Sequence, residues 1–369
     1  MKKILFLIHD LGHGGAEKVL VNLVNNMDPK QFDITVMSLF GGGVNEQFLK
    51  EHIRYITVFK KEFRGNSHYF KLFSSKTLHK RYIKEQYDIE VSYLEGPSAR
   101  IISGCPNPNT KLVSWIHVQQ HNSKILSKAF RNVKEAKECY DKFNNTVCVS
   151  EYVKEDFCGI LDFKKRCEVL YNTIETEEIL HLSKENADEY FDSNYINLVA
   201  VGTLKESKGY MRLLSVIKRI REENRKIKLH ILGTGPLKSK MEEYIQENDL
   251  SDNVVFLGYQ TNPYKYVSKC DLFVCASYAE GFSTAATEAL IVGTPVCTVE
   301  VSGMKEMLGE NNEYGIVTEN NEDALYEGIK TLIENPTLLA DYKSKASLRA
   351  QKFSTTETVT AVQNMLNSL

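Results

Sequence analysis

Glu280 and Glu288 stand eight residues apart in the run Tyr278-Ala279-Glu280-Gly281-Phe282-Ser283-Thr284-Ala285-Ala286-Thr287-Glu288-Ala289-Leu290. Just upstream, Asp271-Leu272-Phe273-Val274-Cys275-Ala276 is a short apolar run suited to a buried strand. Residues 284–292 are rich in Ala and Leu and stop at Gly293, the pattern of a helix. The first acid therefore falls in a strand-to-helix turn and the second on the helix. The N–H groups of Gly281, Phe282 and Ser283 are expected to point out of the helix start, where unpaired donors and the helix dipole favour an anion or a polar ligand. A polyhydroxylated, negatively charged ligand suits such a turn.

Three other places have chemistry-bearing residues in comparable positions. Gly12-His13-Gly14-Gly15-Ala16-Glu17 lies between a strand and a helix, where glycines let backbone N–H groups approach a phosphate or simply make a tight turn. Gly202-Thr203-Leu204-Lys205-Glu206-Ser207-Lys208-Gly209 puts Lys208 above the carboxyl end of another strand, placed either to neutralise a leaving diphosphate or to be solvated. Gly233-Thr234-Gly235-Pro236-Leu237 follows the next strand, with Pro236 at a plausible first helical position; it serves equally as a structural turn or a ligand loop. His117 ends the run Val113-Ser114-Trp115-Ile116, as a partner for a reacting sugar or as a satisfied structural histidine.

Several mechanisms lack their residues. The chain has no D-x-D and no H-E-x-x-H, so metal-dependent chemistry lacks support from either pattern. It has no Walker A or G-x-G-x-x-G sequence and no G-x-S-x-G elbow, which removes support for P-loop, dinucleotide and serine-hydrolase readings.

These sites need scaffolding, and the apolar runs supply it. Ile4–Ile8, Ile34–Leu39, Leu112–Ile116, Thr146–Val149, Ile196–Val201, Lys228–Leu232, Val254–Leu257 and Pro295–Val301 read as short strands with helix patterns between many of them. The strand, glycine turn, helix plan starts twice, at Ile4 and at Ile196. Such alternation predicts parallel sheets covered on both faces. A length of 369 residues fits two domains, with the polar stretch 173–195 as connector. Ser354-Thr355-Thr356-Glu357 reads as a capping box for a final helix with the stripe Val359, Val362, Leu366 and Leu369.

Net charge is −2, but residues 1–180 hold 26 Lys+Arg against 22 Asp+Glu and the remainder 20 against 26. The basic excess concentrates at Lys60, Lys61, Arg64, Lys71, Lys76, Lys80, Arg81 and Lys84, interleaved with Phe59, Phe63, Tyr69, Phe70, Leu72 and Phe73. Residues 59–84 thus read as a peripheral contact with an anionic membrane or as a solvated basic helix with a buried apolar face; no recognised nucleic-acid module accompanies them. Eight cysteines without a C-x-x-C pair indicate reduced thiols in a cytoplasmic protein. Met1–Ile8 is read as a first strand rather than a signal peptide, and no window is long and apolar enough to span a bilayer.

Taken together, five segments resemble the retaining glycosyltransferases of family 4: Gly14-Gly15-Ala16-Glu17, Trp115-x-His117, Val149-Ser150-Glu151-Tyr152-Val153, Val201-Gly202-x-Leu204-x-x-x-Lys208-Gly209, and Glu280-Gly281-Phe282 through Glu288. Gly233-x-Gly235-Pro236-Leu237 and Phe256-Leu257-Gly258 fill the gap, so the resemblance runs nearly end to end. It implies an α/β GT-B architecture: two Rossmann-like doubly wound parallel-sheet domains facing across a cleft. Residues 1–173 would form the acceptor domain and 174–353 the linker and donor domain, with helix 354–369 crossing back to the first.

The same resemblance implies site roles. Glu280 and the amides of Gly281, Phe282 and Ser283 would hold the donor sugar, and Glu288 the ribose. Lys208 and the amides at Gly14 and Gly15 would hold the diphosphate, His117 would sit by the transferred sugar, and the base would lie near Tyr259-Gln260. The family usually has arginine where this chain has Thr203, so either Lys205, Arg212 or another cation substitutes, or turnover is compromised. The reaction implied is metal-independent transfer with retention, from a nucleoside-diphosphate sugar (UDP-sugar ahead of GDP-sugar) to a glycan or lipid-linked saccharide of a bacterial surface polysaccharide, with no further cofactor. Two alternatives are a non-catalytic sugar-nucleotide-binding subunit, suggested by Thr203, and a sugar-nucleotide epimerase of the same fold.

Overall fold

The computed structural model describes residues 1–369 apart from His13, Lys164, Lys165 and Asn224, and apart from the side chain of Glu189. The chain divides into two compact units, residues 1–174 with 355–369, and residues 175–354.

Unit 1 is built on seven parallel strands: β1 (Lys2–Ile8), β2 (Phe32–Phe40), β3 (Arg54–Phe59), β4 (Ile89–Ser92), β5 (Lys111–Ile116), β6 (Asn145–Cys148) and β7 (Cys167–Val169), in the order β3-β2-β1-β4-β5-β6-β7. The continuous apolar run Ile4–Ile8 is fully buried, as a central strand covered by helices on both faces requires. Chain order reverses between the neighbours β1 and β4. The loops beyond their carboxyl ends, residues 9–12 and 93–96, therefore flank a topological switch point, where open α/β sheets leave a crevice for ligands.

The helix Thr355–Asn367 belongs to unit 1. Val359, Val362 and Leu366 are buried together with Met365, while the predicted Leu369 lies beyond the helix end. Lys2 Nζ donates to the Leu366 carbonyl at 2.9 Å and the Asp28 N–H to Gln363 Oε1 at 2.8 Å.

Unit 2 has six parallel strands: β8 (Ile196–Val201), β9 (Ile227–Leu232), β10 (Val254–Gly258), β11 (Leu272–Cys275), β12 (Val296–Val299) and β13 (Ile316–Thr318), in the order β10-β9-β8-β11-β12-β13. Leu198, Leu229, Leu272 and Val299 join Leu214, Ile217 and Ile329 from the covering helices in one apolar core. Its switch point lies between β8 and β11. The polar stretch read as a connector is largely part of this unit: the helix Thr176–Leu182 buries Ile179, and its end accepts hydrogen bonds from Asn262 (to Leu182) and Ser268 (to Ser183).

Two features of unit 1 differ from the simplest reading of the sequence. The strand β4 is hidden by Glu90, a charged residue in a buried strand that pairs with His79 at 2.8 Å. In the basic segment, helices Asn66–Leu72 and Ser75–Tyr82 turn Phe59, Phe63, Tyr69, Phe70 and Tyr82 toward one another, with ring centroids 5.3–6.3 Å apart. Lys60, Lys61, Arg64, Lys76 and Lys80 stay exposed, as does Leu72. Among the described residues no helix is long and apolar enough to cross a membrane. All eight cysteines are free.

Candidate active site

At the switch point of unit 2, the loop after β8 meets the loop after β11. Gly209, at φ +67°, closes the short 3₁₀ turn Glu206–Lys208 and starts the helix Tyr210–Glu222; a Cβ there would lie 1.8 Å from the Ala276 carbonyl oxygen. Only glycine allows this approach. It delivers Lys208 to Glu280: Nζ and Oε1 are 2.6 Å apart, with the side chains 26% and 12% exposed. The same carboxylate oxygen accepts from Ser277 Oγ at 2.6 Å. An ammonium has three N–H donors, so one bond to Glu280 fixes its direction and leaves two for an anion's oxygens.

The helix that follows spans Thr284–Ile291, with Ser283 as its N-cap: Ser283 Oγ accepts from the Ala286 N–H at 3.3 Å. Gly281, Phe282 and Ser283 are buried. The Phe282 ring packs 5.5 Å from that of Phe353 and against Gly303, so its backbone is what it presents at the turn. Glu288 sits in the second turn, buried, and accepts from the Tyr264 hydroxyl at 3.3 Å. Gln260 is turned onto its own loop: its amide donates to the Leu257 carbonyl at 2.6 Å and accepts from the Tyr266 hydroxyl at 3.3 Å. Its neighbour Tyr259 exposes its ring.

Thr203 and Lys205 are exposed in the loop after β8. Arg212 does not take the place of the family arginine. It is buried, its guanidinium donates to the carbonyls of Ala276 (2.9 and 2.5 Å) and Ser277 (2.9 Å), and it lies 4.3 Å from the centre of the Tyr278 ring. It straps down the end of β11. Gly233 and Gly235 are a structural turn: a Cβ on either would fall 2.0 or 2.4 Å from the carbonyl oxygen of Gly202 or Leu204. Pro236 precedes the helix Lys238–Glu247 rather than opening it.

In unit 1, Gly14 caps and Gly15 begins the helix Gly15–Asn26; His13 lies outside the described residues. The carboxylate of Glu17 folds back over this start, so that a Cβ on Gly14 would lie 1.9 Å from Glu17 Oε2. Burial raises the Glu17 pKa, a direction that nearby Asp10 reinforces.

His117 is buried beyond the end of β5, with its ring 4.9 Å from that of Tyr93. Burial pushes its pKa down to about 3, against a hydrogen bond to the Tyr93 backbone, so the imidazole is neutral. Its Nε2 is buried and has no hydrogen-bond partner among the described residues. With the other ring nitrogen bonded to the carbonyl, Nε2 carries a lone pair that can accept from a hydroxyl.

The loop carrying His117 is held by a residue the sequence did not single out. Glu95 accepts from the N–H groups of His117 (3.3 Å) and Val118 (3.2 Å) and from the Gln120 amide (3.1 Å), while Asp156 accepts from the Gln120 N–H at 2.6 Å. Burial raises the Glu95 pKa. Its signal was the Leu94-Glu95-Gly96 turn after β4, invisible until β4 itself is seen as a strand.

Residues 13–178 match the family model described as glycosyltransferase family 4, and residues 183–349 match that of glycosyl transferases group 1. The chain belongs to this glycosyltransferase family. A Campylobacter jejuni relative of this glycosyltransferase, N-acetylgalactosamine-N,N'-diacetylbacillosaminyl-diphospho-undecaprenol 4-alpha-N-acetylgalactosaminyltransferase, is 29% identical over 370 residues, covering 96% of each chain. The poly(ribitol-phosphate) alpha-N-acetylglucosaminyltransferase of Staphylococcus aureus is 26% identical over 322 residues, covering 85% of this chain and 61% of that one. The crystal structure of Anabaena HepE in complex with UDP superposes with a TM-score of 0.79 at 19% identity, each chain covered in full. The glycosyltransferase thus has the GT-B fold, with two Rossmann-like parallel-sheet domains.

Proposed function

We propose that this glycosyltransferase moves a hexose or N-acetylhexosamine from a UDP-sugar to a glycan or lipid-linked saccharide acceptor in bacterial surface polysaccharide synthesis, with retention at the anomeric carbon and without a metal. The observation that carries the reading is the Lys208–Glu280 pair beside the Ser283-capped helix start. It puts a cation with two unused donors next to a carboxylate able to accept from sugar hydroxyls. The names of the Campylobacter and Staphylococcus relatives, both N-acetylhexosaminyltransferases, support the sugar class.

In this mechanism Glu280 and the backbone at Gly281–Ser283 orient the sugar, and Glu288 takes the ribose hydroxyls in charge-assisted bonds worth about 1.5–3 kcal/mol each. Lys208 holds the diphosphate. The bond from the anomeric carbon to the leaving phosphate oxygen breaks while the acceptor oxygen bonds on the same face, and the acceptor's hydroxyl proton passes to the departing phosphate. Lys208 stabilises the charge that grows there. The resemblance assigns the neutral His117 to the transferred sugar. It also assigns the Gly14 and Gly15 amides to the diphosphate, which requires the Glu17 carboxylate to swing off the helix start. The exposed lysines of residues 59–84 contribute about 1 kcal/mol each toward an anionic inner membrane face; sedimentation with anionic vesicles that is indifferent to charge reversal at Lys60, Lys61 and Arg64 contradicts that contact.

The test is transfer from labelled UDP-sugars by the wild type and by Glu280→Ala, Lys208→Ala and Glu288→Ala. Loss in each supports the reading, and unchanged transfer in all three overturns it. A second reading, a sugar-nucleotide-binding subunit without turnover, is favoured by one observation: Thr203 is exposed and Arg212 is committed to backbone carbonyls. It predicts nucleotide binding with transfer only after a second subunit is added.

A further inference from the structure

A cluster in unit 1 lies outside every residue given a role above. His79 stands on the helix Ser75–Tyr82, Glu90 on β4, and Cys105 in the turn after the helix Pro97–Ile102. One donor atom from each lies within 4.8 Å of the other two. Glu90 divides its carboxylate between its neighbours: Oε2 is 2.8 Å from His79 Nε2 and Oε1 is 3.7 Å from Cys105 Sγ. His79 and Glu90 are 5% and 1% exposed, and Cys105 is half-buried.

A buried carboxylate needs positive charge beside it. An imidazolium would provide that, but it leaves the convergence of a thiol on the same carboxylate without a use. Nitrogen, oxygen and sulfur together form a ligand set typical of zinc, with bonds of about 2.0–2.3 Å. A tetrahedral ion at those distances spaces its ligand atoms roughly 3.3–3.7 Å apart. The His79 Nε2–Glu90 Oε2 separation of 2.8 Å has to open by about half an ångström, and the Glu90 Oε1–Cys105 Sγ separation of 3.7 Å already falls in that range. The three ligand atoms, all within 4.8 Å of one another, have to draw in by up to about 1 Å. The Asn107 carbonyl, 3.9 Å from Cys105 Sγ, and the solvent that reaches this half-buried thiol are both available for a fourth position.

We propose that His79, Glu90 and Cys105 bind one divalent cation of zinc type, tying the helix Ser75–Tyr82 and the Cys105 turn to β4. The cation enters as the imidazole Nε2 proton and the thiol proton leave to solvent, so that a neutral imidazole, a carboxylate and a thiolate balance its two charges. The site is structural, and sugar transfer does not pass through it.

The experiment uses the full chain, stripped with a chelator and titrated with Co²⁺ and Zn²⁺. Expected are one equivalent of Co²⁺ with a near-ultraviolet thiolate-to-cobalt band, and a thermal midpoint raised by Zn²⁺. Cys105→Ser, which spares the His79–Glu90 pair and keeps the wild-type circular dichroism, loses the band and weakens Zn²⁺ by more than about 100-fold, beyond the range that outer-shell changes cost. His79→Gln does the same. Folded wild-type protein that takes up neither ion overturns the proposal and leaves an ion pair only. Uptake that survives Cys105→Ser unchanged overturns it too, placing the metal on other side chains.

Discussion

Lys208 Nζ lies 2.6 Å from Glu280 Oε1, and this ion pair joins the loops after β8 and β11, the two strands at the switch point of unit 2. The pair is partly solvated, so its worth to folding is about 1 kcal/mol or less. In the proposed mechanism its worth to catalysis is larger, because a diphosphate charge growing next to Lys208 meets a cation already oriented. Lys208→Ala is expected to lower kcat/KM by about 10²–10³, the range for loss of one preorganised donor, with a thermal midpoint close to wild type. Steady-state kinetics and a melting curve check both halves.

Glu95 holds the loop that carries His117, so in the proposed mechanism it acts on the reaction through that loop alone. Glu95→Gln leaves one acceptor oxygen where the N–H groups of His117 and Val118 and the Gln120 amide now find two. The expected result is a fall in kcat of about tenfold, equivalent to ~1.4 kcal/mol of lost positioning, with KM for the nucleotide sugar unchanged. A matched rise in KM points instead to a role in donor binding.

Gly209 combines a left-handed φ of +67° with a Cβ position 1.8 Å from the Ala276 carbonyl. Gly209→Ala must shift backbone on one side or the other, and a loss of roughly 2–4 kcal/mol is expected. Urea unfolding measures it, and the same variant should lose donor affinity because Lys208 moves with the turn.

Two buried histidines make the fold sensitive to acid. His117 is held at about 3 and His230 at about 4, in both cases chiefly by burial. Lys228 adds to the effect at His230, whose Nε2 faces Asn197 Oδ1 at 3.0 Å. The unfolded chain binds these protons first, so the contribution of these two groups is full above about 6.5, the ordinary histidine value, and falls as pH drops from there toward 4. The slope is about 1.4 kcal/mol per pH unit for each group. Urea midpoints at pH 6 and 5, below the range in which the raised His79 titrates, should decline for the wild type and decline less for His230→Gln.

How much of this is legible in the sequence follows from what each residue has to do. Strands that are apolar throughout, such as Ile4–Ile8 and Ile196–Val201, declare themselves because burial on both faces leaves no alternation to blur. The strand β4 does not, because Glu90 is charged and its partner His79 is eleven residues away. Glu280 and Glu288 are visible as spaced acids around a turn. That Lys208 reaches Glu280 across 72 residues is not, since it depends on β8 and β11 being neighbours. Arg212 was offered as a phosphate-binding cation on charge alone, and packing against the end of β11 assigns it to backbone carbonyls instead.

The measurement closest to the central claim is transfer by the purified full chain with EDTA present, from radiolabelled UDP-N-acetylhexosamines and UDP-hexoses to a lipid-linked saccharide, with the product's anomeric configuration read by NMR. An α-linked product from an α-linked donor is expected, formed by the wild type and lost in Glu280→Ala. An inverted linkage, transfer that Glu280→Ala leaves unchanged, or turnover that EDTA abolishes and a divalent ion restores with the melting curve unchanged would contradict the proposed function.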